Sequence, residues 1–316
     1  MRRPVVLLAL LLVACTRGGA LPPPAVAHNL EGTTLLEGGD LDGAEARFRL
    51  ALEYHPRFAE PRANLGLVLL ARGDLEGAER ELRAALSLDP DFDEAWSGLG
   101  VVLDARGQRV EAAEAWERAL AIDPGLVAAR RNLADTRIRL GQLVEARAQL
   151  MRLVQLERGD GLSRATALLA YCELRLGRKI TARETAERVL GLEPDHAIAR
   201  VVRGALHAEA GRPRLAVADL LVAIDDPLVG FDARLRIATI QVSSGAHEEA
   251  TPLVHALLRE APEAPGVRLV AAWHAAGLGH WDEAAAHARS ALREREVEAA
   301  RTVLALACEA GARGCP

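Results

Sequence analysis

The chain repeats itself every 34 residues, and this period constrains its fold more than any other feature. Pro56, Pro90 and Pro124 are 34 residues apart, and the same small residues recur at fixed distances before each of them. Such a period is typical of arrays in which each repeat is one helix-turn-helix unit that packs only on its neighbours. The sequence therefore predicts an elongated helical array that presents a binding surface rather than an enzyme.

Within each period, residues of the same size return at the same positions. With the proline as position 32, positions 8, 20 and 27 are small, position 24 is bulky and position 15 is glycine. Small residues let two helices approach closely, and bulky ones fill the space between them. Glycine suits a helix end followed by a tight turn, and proline ends the second helix. The residues that carry this pattern in the first three periods are Gly32, Ala44, Phe48 and Ala51; Leu65, Gly66, Ala78, Leu82 and Ala85; and Trp96, Leu99, Gly100, Ala112, Trp116 and Ala119.

These residues resemble the tetratricopeptide repeat family, whose units have a bulky residue at position 4, Leu-Gly at positions 7 and 8, and small residues at 20 and 27. The resemblance implies an all-α, right-handed superhelical solenoid of about eight units. The later periods are more divergent, and two extra residues precede the fifth. We expect units at 25–58, 59–92, 93–126, 127–160, 163–196, 197–230, 231–264 and 265–298, with a capping helix and tail at 299–316.

Composition and motifs argue against several other classes of protein. Acidic residues outnumber basic ones by 44 to 39, whereas a nucleic-acid binder usually has a basic excess. A zinc-binding helix beginning at His247 would need a second histidine where Thr251 stands. The nine histidines are scattered, and no nucleophile has an evident base. We therefore expect neither enzymatic activity nor a metal, a cofactor or a nucleic-acid partner.

The amino terminus carries an export signal. Arg2 and Arg3 precede an apolar run that is too short to span a membrane as an ordinary helix. The run ends in Leu-Val-Ala followed by Cys15, which resembles a bacterial lipobox. This resemblance predicts a signal peptide at 1–14, a lipidated Cys15, and a tether at 15–24. An ordinary secretory signal with an incidental cysteine is the alternative.

The same resemblance indicates a location. Thr16 stands where the enterobacterial sorting pattern places Asp in lipoproteins of the inner membrane. We therefore expect attachment to the outer membrane, with the array facing the periplasm. An exported protein meets an oxidising compartment, so Cys308 and Cys315 are candidates for a disulfide. Their closeness in sequence does not by itself satisfy disulfide geometry, and the pairing stays open.

The family resemblance also locates a candidate partner site. In tetratricopeptide arrays the concave groove is lined by positions 2, 5, 6, 9, 12 and 13 of the first helix of each unit. We expect Trp273 and Tyr171 to anchor a peptide, because exposed aromatic residues often do so. The alternatives are that Trp273 packs on a neighbouring helix and that the asparagines follow the family consensus. The candidate groove residues are Asn64, Arg131, Asn132, Arg139, Tyr171, Arg175, Arg236 and Trp273, with Val201, Val202, Leu235, Leu269 and Val270 as an apolar continuation.

Together these features predict a membrane-anchored periplasmic scaffold that binds a protein or peptide segment during assembly of an envelope complex. Tetratricopeptide lipoproteins of similar architecture include pilotins of type IV pilus secretins and adaptors of cell-wall enzymes. A component of polysaccharide export is a further alternative. The basic and asparagine residues with which some family members clamp a terminal carboxylate are not reproduced in this chain, which disfavours capture of chaperone tails.

Overall fold

The computed structural model describes residues 21–294 and 298–315, and every regular element within them is an α-helix. The predicted all-α fold is therefore confirmed. The helices are α1 (Pro23–Glu37), α2 (Leu41–Tyr54), α3 (Ala59–Ala71), α4 (Leu75–Leu88), α5 (Asp93–Ala105), α6 (Arg109–Ile122), α7 (Val127–Arg139), α8 (Leu143–Leu156), α9 (Gly159–Arg175), α10 (Lys179–Leu190), α11 (Ala197–Glu209), α12 (Pro213–Leu221), α13 (Gly230–Ser243), α14 (His247–Glu260), α15 (Pro265–Gly277), α16 (Trp281–Glu294) and α17 (Glu298–Glu309).

These helices form eight helix-turn-helix units and one final helix, as the period predicts. The first helix of a unit packs on the second, as α1 does on α2 and α15 on α16, and α17 packs on α16. By its internal contacts the chain divides into two units, one ending at Ala129 and one beginning at Arg130, within α7. Each is a stack of hairpins.

A glycine in the left-handed backbone region closes the first helix of every hairpin. The φ angles of these glycines lie between 69° and 81°, a region that a side chain with a Cβ rarely adopts. The glycine thus ends one helix and turns the chain into the next, which explains its recurrence at position 15. The eight residues are Gly39, Gly73, Gly107, Gly141, Gly177, Gly211, Gly245 and Gly279.

Small residues and bulky residues meet inside each hairpin of the first unit. A Cβ added at Gly66 would lie 2.8 Å from the side chain of Leu82, and one at Gly100 would lie 2.6 Å from Trp116. Leu82 is fully buried and Trp116 nearly so. The hairpins therefore require the small residue at position 8, since a larger one would displace the bulky side chain that fills the core.

Three helix boundaries depart from the predicted periods. Helix α1 begins at Pro23, inside the predicted tether, and α9 begins at Gly159, four residues before the predicted fifth repeat. Helix α12 ends early, at Leu221, and is followed by turns. Pro227 disfavours a helical conformation at Asp226, whose carboxylate instead accepts hydrogen bonds from the backbone N–H groups of Leu228 and Val229.

The last helix and the tail are joined covalently in the structure. A disulfide links Cys308, near the end of α17, to Cys315 in the tail. Gly311 turns the chain back, with a φ of 85°, and the backbone N–H of Ala312 donates to the carbonyl of Ala307. The tail therefore lies against the helix that precedes it.

Candidate functional site

An apolar groove opens along the first helices of the last two hairpins. Its cavity volume is about 730 Å³, and most of its lining is carbon. Helices α13 and α15 form its walls, while the first residues of α14 and α16 and one side chain of α17 complete it. The residues of this apolar groove are Leu235, Thr239, Val242, Ser243, Gly245, His247, Gly266, Leu269, Val270, Trp273, Ala276, Gly277, Trp281 and Leu306.

The apolar groove is built from the helix positions that the repeat pattern assigns to the concave face. Helix α15 contributes six residues, at positions 2, 5, 6, 9, 12 and 13 of its unit, and α13 contributes positions 5, 9, 12 and 13. Three of the α15 residues, Gly266, Ala276 and Gly277, are small. Gly266 and Ala276 add little bulk to the groove, whereas the space over Gly277 is occupied by the imidazole of His247, which itself lines the groove.

Trp273 lies at the centre of the lining and is half-buried. Its side chain packs against the core that includes Val254 and Leu257 and also against the core that includes Ala284 and Val303. The same side chain lines the apolar groove. Trp273 thus combines the two roles that the sequence leaves open, packing on its neighbours and presenting a face to the cavity.

One histidine, His247, lines the apolar groove. The ring of His247 lies over Gly277, where an added Cβ would be 2.1 Å from the imidazole. Behind it, His274 is buried and lies 3.0 Å from the hydroxyl of Thr251 through its Nε2 atom. Burial lowers the pKa of His274, and the charges of His247 and His255 lower it further, so His274 is neutral at neutral pH.

A cluster of polar side chains comes from α9 and α13. Arg175 donates a hydrogen bond of 2.8 Å to the hydroxyl of Tyr171, and its guanidinium lies 5.6 Å from the centre of that ring. On α13, Arg236 donates from Nε to Asp232 at 2.8 Å. Burial raises the pKa of Tyr171, and the negative charge of Asp232 raises it further, so the carboxylate lies within electrostatic reach of the phenol. We call these four residues the charged cluster.

The structure corrects the expected exposure of four groove residues. Tyr171 is only 3% exposed, Val201 and Val202 are fully buried, and Val270 is buried although it borders the apolar groove. Helix α11 carries the small residues Ala205 and Ala208 at positions 9 and 12. Ala205 is itself fully buried, and the long side chains of the charged cluster come from the helices on either side of α11. Tyr171 therefore supports the surface from below and is not an exposed anchor.

The remaining predicted residues lie outside the apolar groove. Asn64 belongs to the first unit, where its amide donates to the side chain of Asn29 at 3.3 Å. Arg131 pairs with Glu157 at 2.8 Å, Asn132 is half-buried, and Arg139 is exposed at the end of α7. None of the four lines the cavity between α13 and α15.

Sequence reasoning misses several residues of the apolar groove. His247, Trp281 and Leu306 come from helix ends and from α17, which a projection of first-helix positions does not include. Gly266 and Gly277 lie at concave positions, but a search for anchor residues looks for large side chains and therefore passes over glycines. Two glycines at concave positions of one helix are the signal that could have located the cavity.

The part of the chain that the structure describes contains no group of three or more His, Cys, Asp or Glu side chains able to hold a metal ion. Burial raises the pKa of the Cys172 thiol to about 12, so the thiol is protonated and unreactive at neutral pH. Within residues 21–294 and 298–315, no helix has both the length and the apolar character needed to cross a membrane. Cys15 and the signal peptide lie outside the described residues.

Family models described as tetratricopeptide repeat match most of the chain. One matches residues 35–102, 69–116 and 103–172, a second matches 168–228, and a third matches 265–290. Together these ranges cover more than half of the chain. A comparison with curated proteins gave no match.

Solved structures with a similar fold include three repeat proteins. The crystal structure of YrrB, described as a TPR protein with an unusual peptide-binding site, is 26% identical, with a TM-score of 0.51 over 59% of this chain and 97% of YrrB. A protein of the Cut9-Hcn1 hetero-tetramer of APC/C is 14% identical, with a TM-score of 0.61 over 87% of this chain and 54% of that one. A tetratricopeptide repeat protein from Parabacteroides merdae is 15% identical, with a TM-score of 0.50 over 91% and 100% of the two chains.

Proposed function

Since the chain belongs to the tetratricopeptide repeat family, we propose that it is a membrane-anchored scaffold that binds a segment of a partner protein in its apolar groove. The scaffold is held at the outer membrane by the lipid on Cys15 and faces the periplasm. There it gathers a partner during assembly of an envelope complex.

The observation that carries this proposal is the apolar groove itself. Its volume of about 730 Å³ falls within the range of roughly 300–1,000 Å³ that is typical of ligand pockets. Trp273 offers a large, rigid apolar surface at its centre, and such residues often dominate binding energy. YrrB, which is similar to this chain, is described as having a peptide-binding site. This similarity supports a peptide as the ligand of the apolar groove.

The anchoring part of the proposal rests on the sequence. A basic start, a short apolar run and Leu-Val-Ala-Cys15 form the pattern of a lipoprotein signal. Lipidation would place the repeats beside a membrane without a spanning helix.

Selection of short random peptides on the purified, immobilised chain tests binding. We expect enrichment of peptides that carry bulky apolar side chains. Replacing Trp273→Ala should weaken their binding by about thirtyfold, the effect of losing roughly 2 kcal/mol at a central aromatic anchor. Trp96→Ala is the matched control, because Trp96 is a half-buried tryptophan of the first unit.

A second variant separates binding from folding, since Trp273 also packs on two cores. Thr239 is an exposed residue of the lining, so Thr239→Trp adds bulk to the apolar groove without removing any core contact. We expect it to block the selected peptides while leaving the helical circular dichroism spectrum unchanged. No enrichment on the native chain, or full binding by both groove variants, would contradict the proposed function.

A further inference from the structure

The apolar groove and the charged cluster share one helix. On α13, Asp232 and Arg236 belong to the charged cluster, while Leu235 and Thr239 line the apolar groove. Arg236 is adjacent in sequence to the first of these groove residues. A segment lying along α13 would therefore meet apolar surface and charged groups within a short distance.

Positive charge exceeds negative charge in the charged cluster. It holds the guanidinium groups of Arg175 and Arg236 but a single carboxylate, that of Asp232. The pKa of Tyr171 is raised by burial and by Asp232, so its phenol adds no negative charge. A carboxylate from a partner would balance the second guanidinium.

The two arginines also retain unused hydrogen-bond donors. A guanidinium has five N–H donors. Arg236 uses Nε on Asp232, and Arg175 uses one terminal nitrogen on Tyr171. Among the described residues, neither arginine has a further hydrogen-bond or ion-pair partner. Arg175 is exposed and Arg236 is partly exposed, so these donors can be reached from solvent.

We propose that the segment bound in the apolar groove carries a bulky apolar residue and an acidic residue close together, with the apolar side chain beside Trp273 and the carboxylate on Arg175 and Arg236. This inference rests on the proposed function and names the chemistry of its partner. Val242 belongs to the core on which Trp273 packs, so its distance from Arg236 approximates the spacing of the two contacts. From Arg236 to Val242, α13 rises about 9 Å at about 1.5 Å per residue. An extended peptide covers that distance in about three residues, so the two side chains are separated by about two to four residues.

Peptide selection on variant chains tests this inference. The native chain, the Arg175→Gln/Arg236→Gln variant and the Arg183→Gln/Arg212→Gln variant are each presented with the same library of short random peptides. The last variant is the matched control, because Arg183 and Arg212 are exposed arginines outside the apolar groove and their loss removes the same charge. We expect glutamate and aspartate near the apolar residue on the native chain and the control, but not on the Arg175→Gln/Arg236→Gln variant.

One selected peptide and its Glu→Gln form then give the size of the effect. Loss of the carboxylate should weaken binding about tenfold on the native chain, as expected for one charge-assisted contact, and less than about twofold on Arg175→Gln/Arg236→Gln. Arg175→Lys/Arg236→Lys keeps the charge and should keep a preference for acidic peptides.

The outcomes distinguish this inference from the function on which it rests. If bulky apolar residues are enriched but acidic ones are not, or if the acidic preference survives in Arg175→Gln/Arg236→Gln, the inference is wrong and the peptide-binding function stands. If no peptide is enriched on the native chain, the proposed function fails and the inference fails with it.

Discussion

At the scale of single residues, Asp219 is a buried charge of the second unit that accepts three hydrogen bonds. It is 4% exposed on the short helix α12. Its carboxylate accepts from Arg200 at 2.8 Å and from two nitrogens of Arg203 at 2.6 and 2.8 Å, both on α11. Burial alone would raise the pKa of Asp219, but the hydrogen bonds and charges of Arg203 and Arg200 outweigh it and lower that pKa. The carboxylate therefore holds the two helices of this hairpin together.

We predict that Asp219→Asn lowers the free energy of unfolding by about 2 kcal/mol at neutral pH, because two guanidinium groups lose a buried partner. A lowered pKa in the folded state gives stability that is fully present above the unfolded value of about 4 and is lost as the pH falls through the folded value. The difference between native and variant chains should therefore shrink below about pH 4. Urea denaturation followed by circular dichroism at neutral and acid pH measures it.

The control for this prediction is Asp195→Asn, which removes another partner of Arg200. The Asp195 side chain is 85% exposed, so its ion pair is screened by water and should contribute about 0 to 1 kcal/mol. Equal destabilisation by the two variants, or a difference that persists at acid pH, would contradict the role given to Asp219.

At the scale of elements, the repeat period predicts where most helices begin and end, because position 15 requires glycine and position 8 requires a small residue for local reasons. The exceptions have local causes too, as Asp226 and Pro227 illustrate at the end of α12. The groove was harder to predict, since the exposure of a side chain depends on its neighbours in other repeats. Tyr171 occupies a concave position and is nevertheless buried. Leu306 reaches the apolar groove from a helix outside the repeats.

We predict that the disulfide between Cys308 and Cys315 protects α17 from local opening. The bond closes a loop across seven positions of sequence, and a chain-entropy argument gives such a loop about 2 kcal/mol of stabilisation. In the Cys308→Ser/Cys315→Ser variant, amide hydrogens of α17 should therefore exchange roughly thirtyfold faster. The amides of α3 to α6 provide an internal control and should be unchanged. Equal exchange of α17 in both chains would mean that helix packing alone holds it in place.

At the scale of the whole molecule, the strict and divergent repeats differ in what their first helices present. In the strict repeats of the first unit, Gly66 and Gly100 lie where the two helices of a hairpin pack together, against Leu82 and Trp116. In the second unit, α15 keeps the pattern of small residues needed for packing and has Gly266 and Gly277 on its concave face, where both line the apolar groove and Gly277 makes room for the ring of His247. Divergence from the period is thus compatible with the fold, because the two sets of positions lie on different faces of the same helix.

We predict that lipidation of Cys15 holds the chain at a membrane and has no part in peptide binding. The native chain should fractionate with outer membranes, be released by detergent, and carry lipid on Cys15 by mass spectrometry. Cys15→Ser should remove the lipid and abolish processing at this site, and Thr16→Asp should redirect the chain to the inner membrane if the host follows the enterobacterial pattern.

A purified Cys15→Ser chain should bind the selected peptides with unchanged affinity, since the apolar groove lies in the last repeats. Native processing and membrane fractionation of Cys15→Ser would contradict the anchor, and loss of peptide binding in that variant would contradict its independence from the groove.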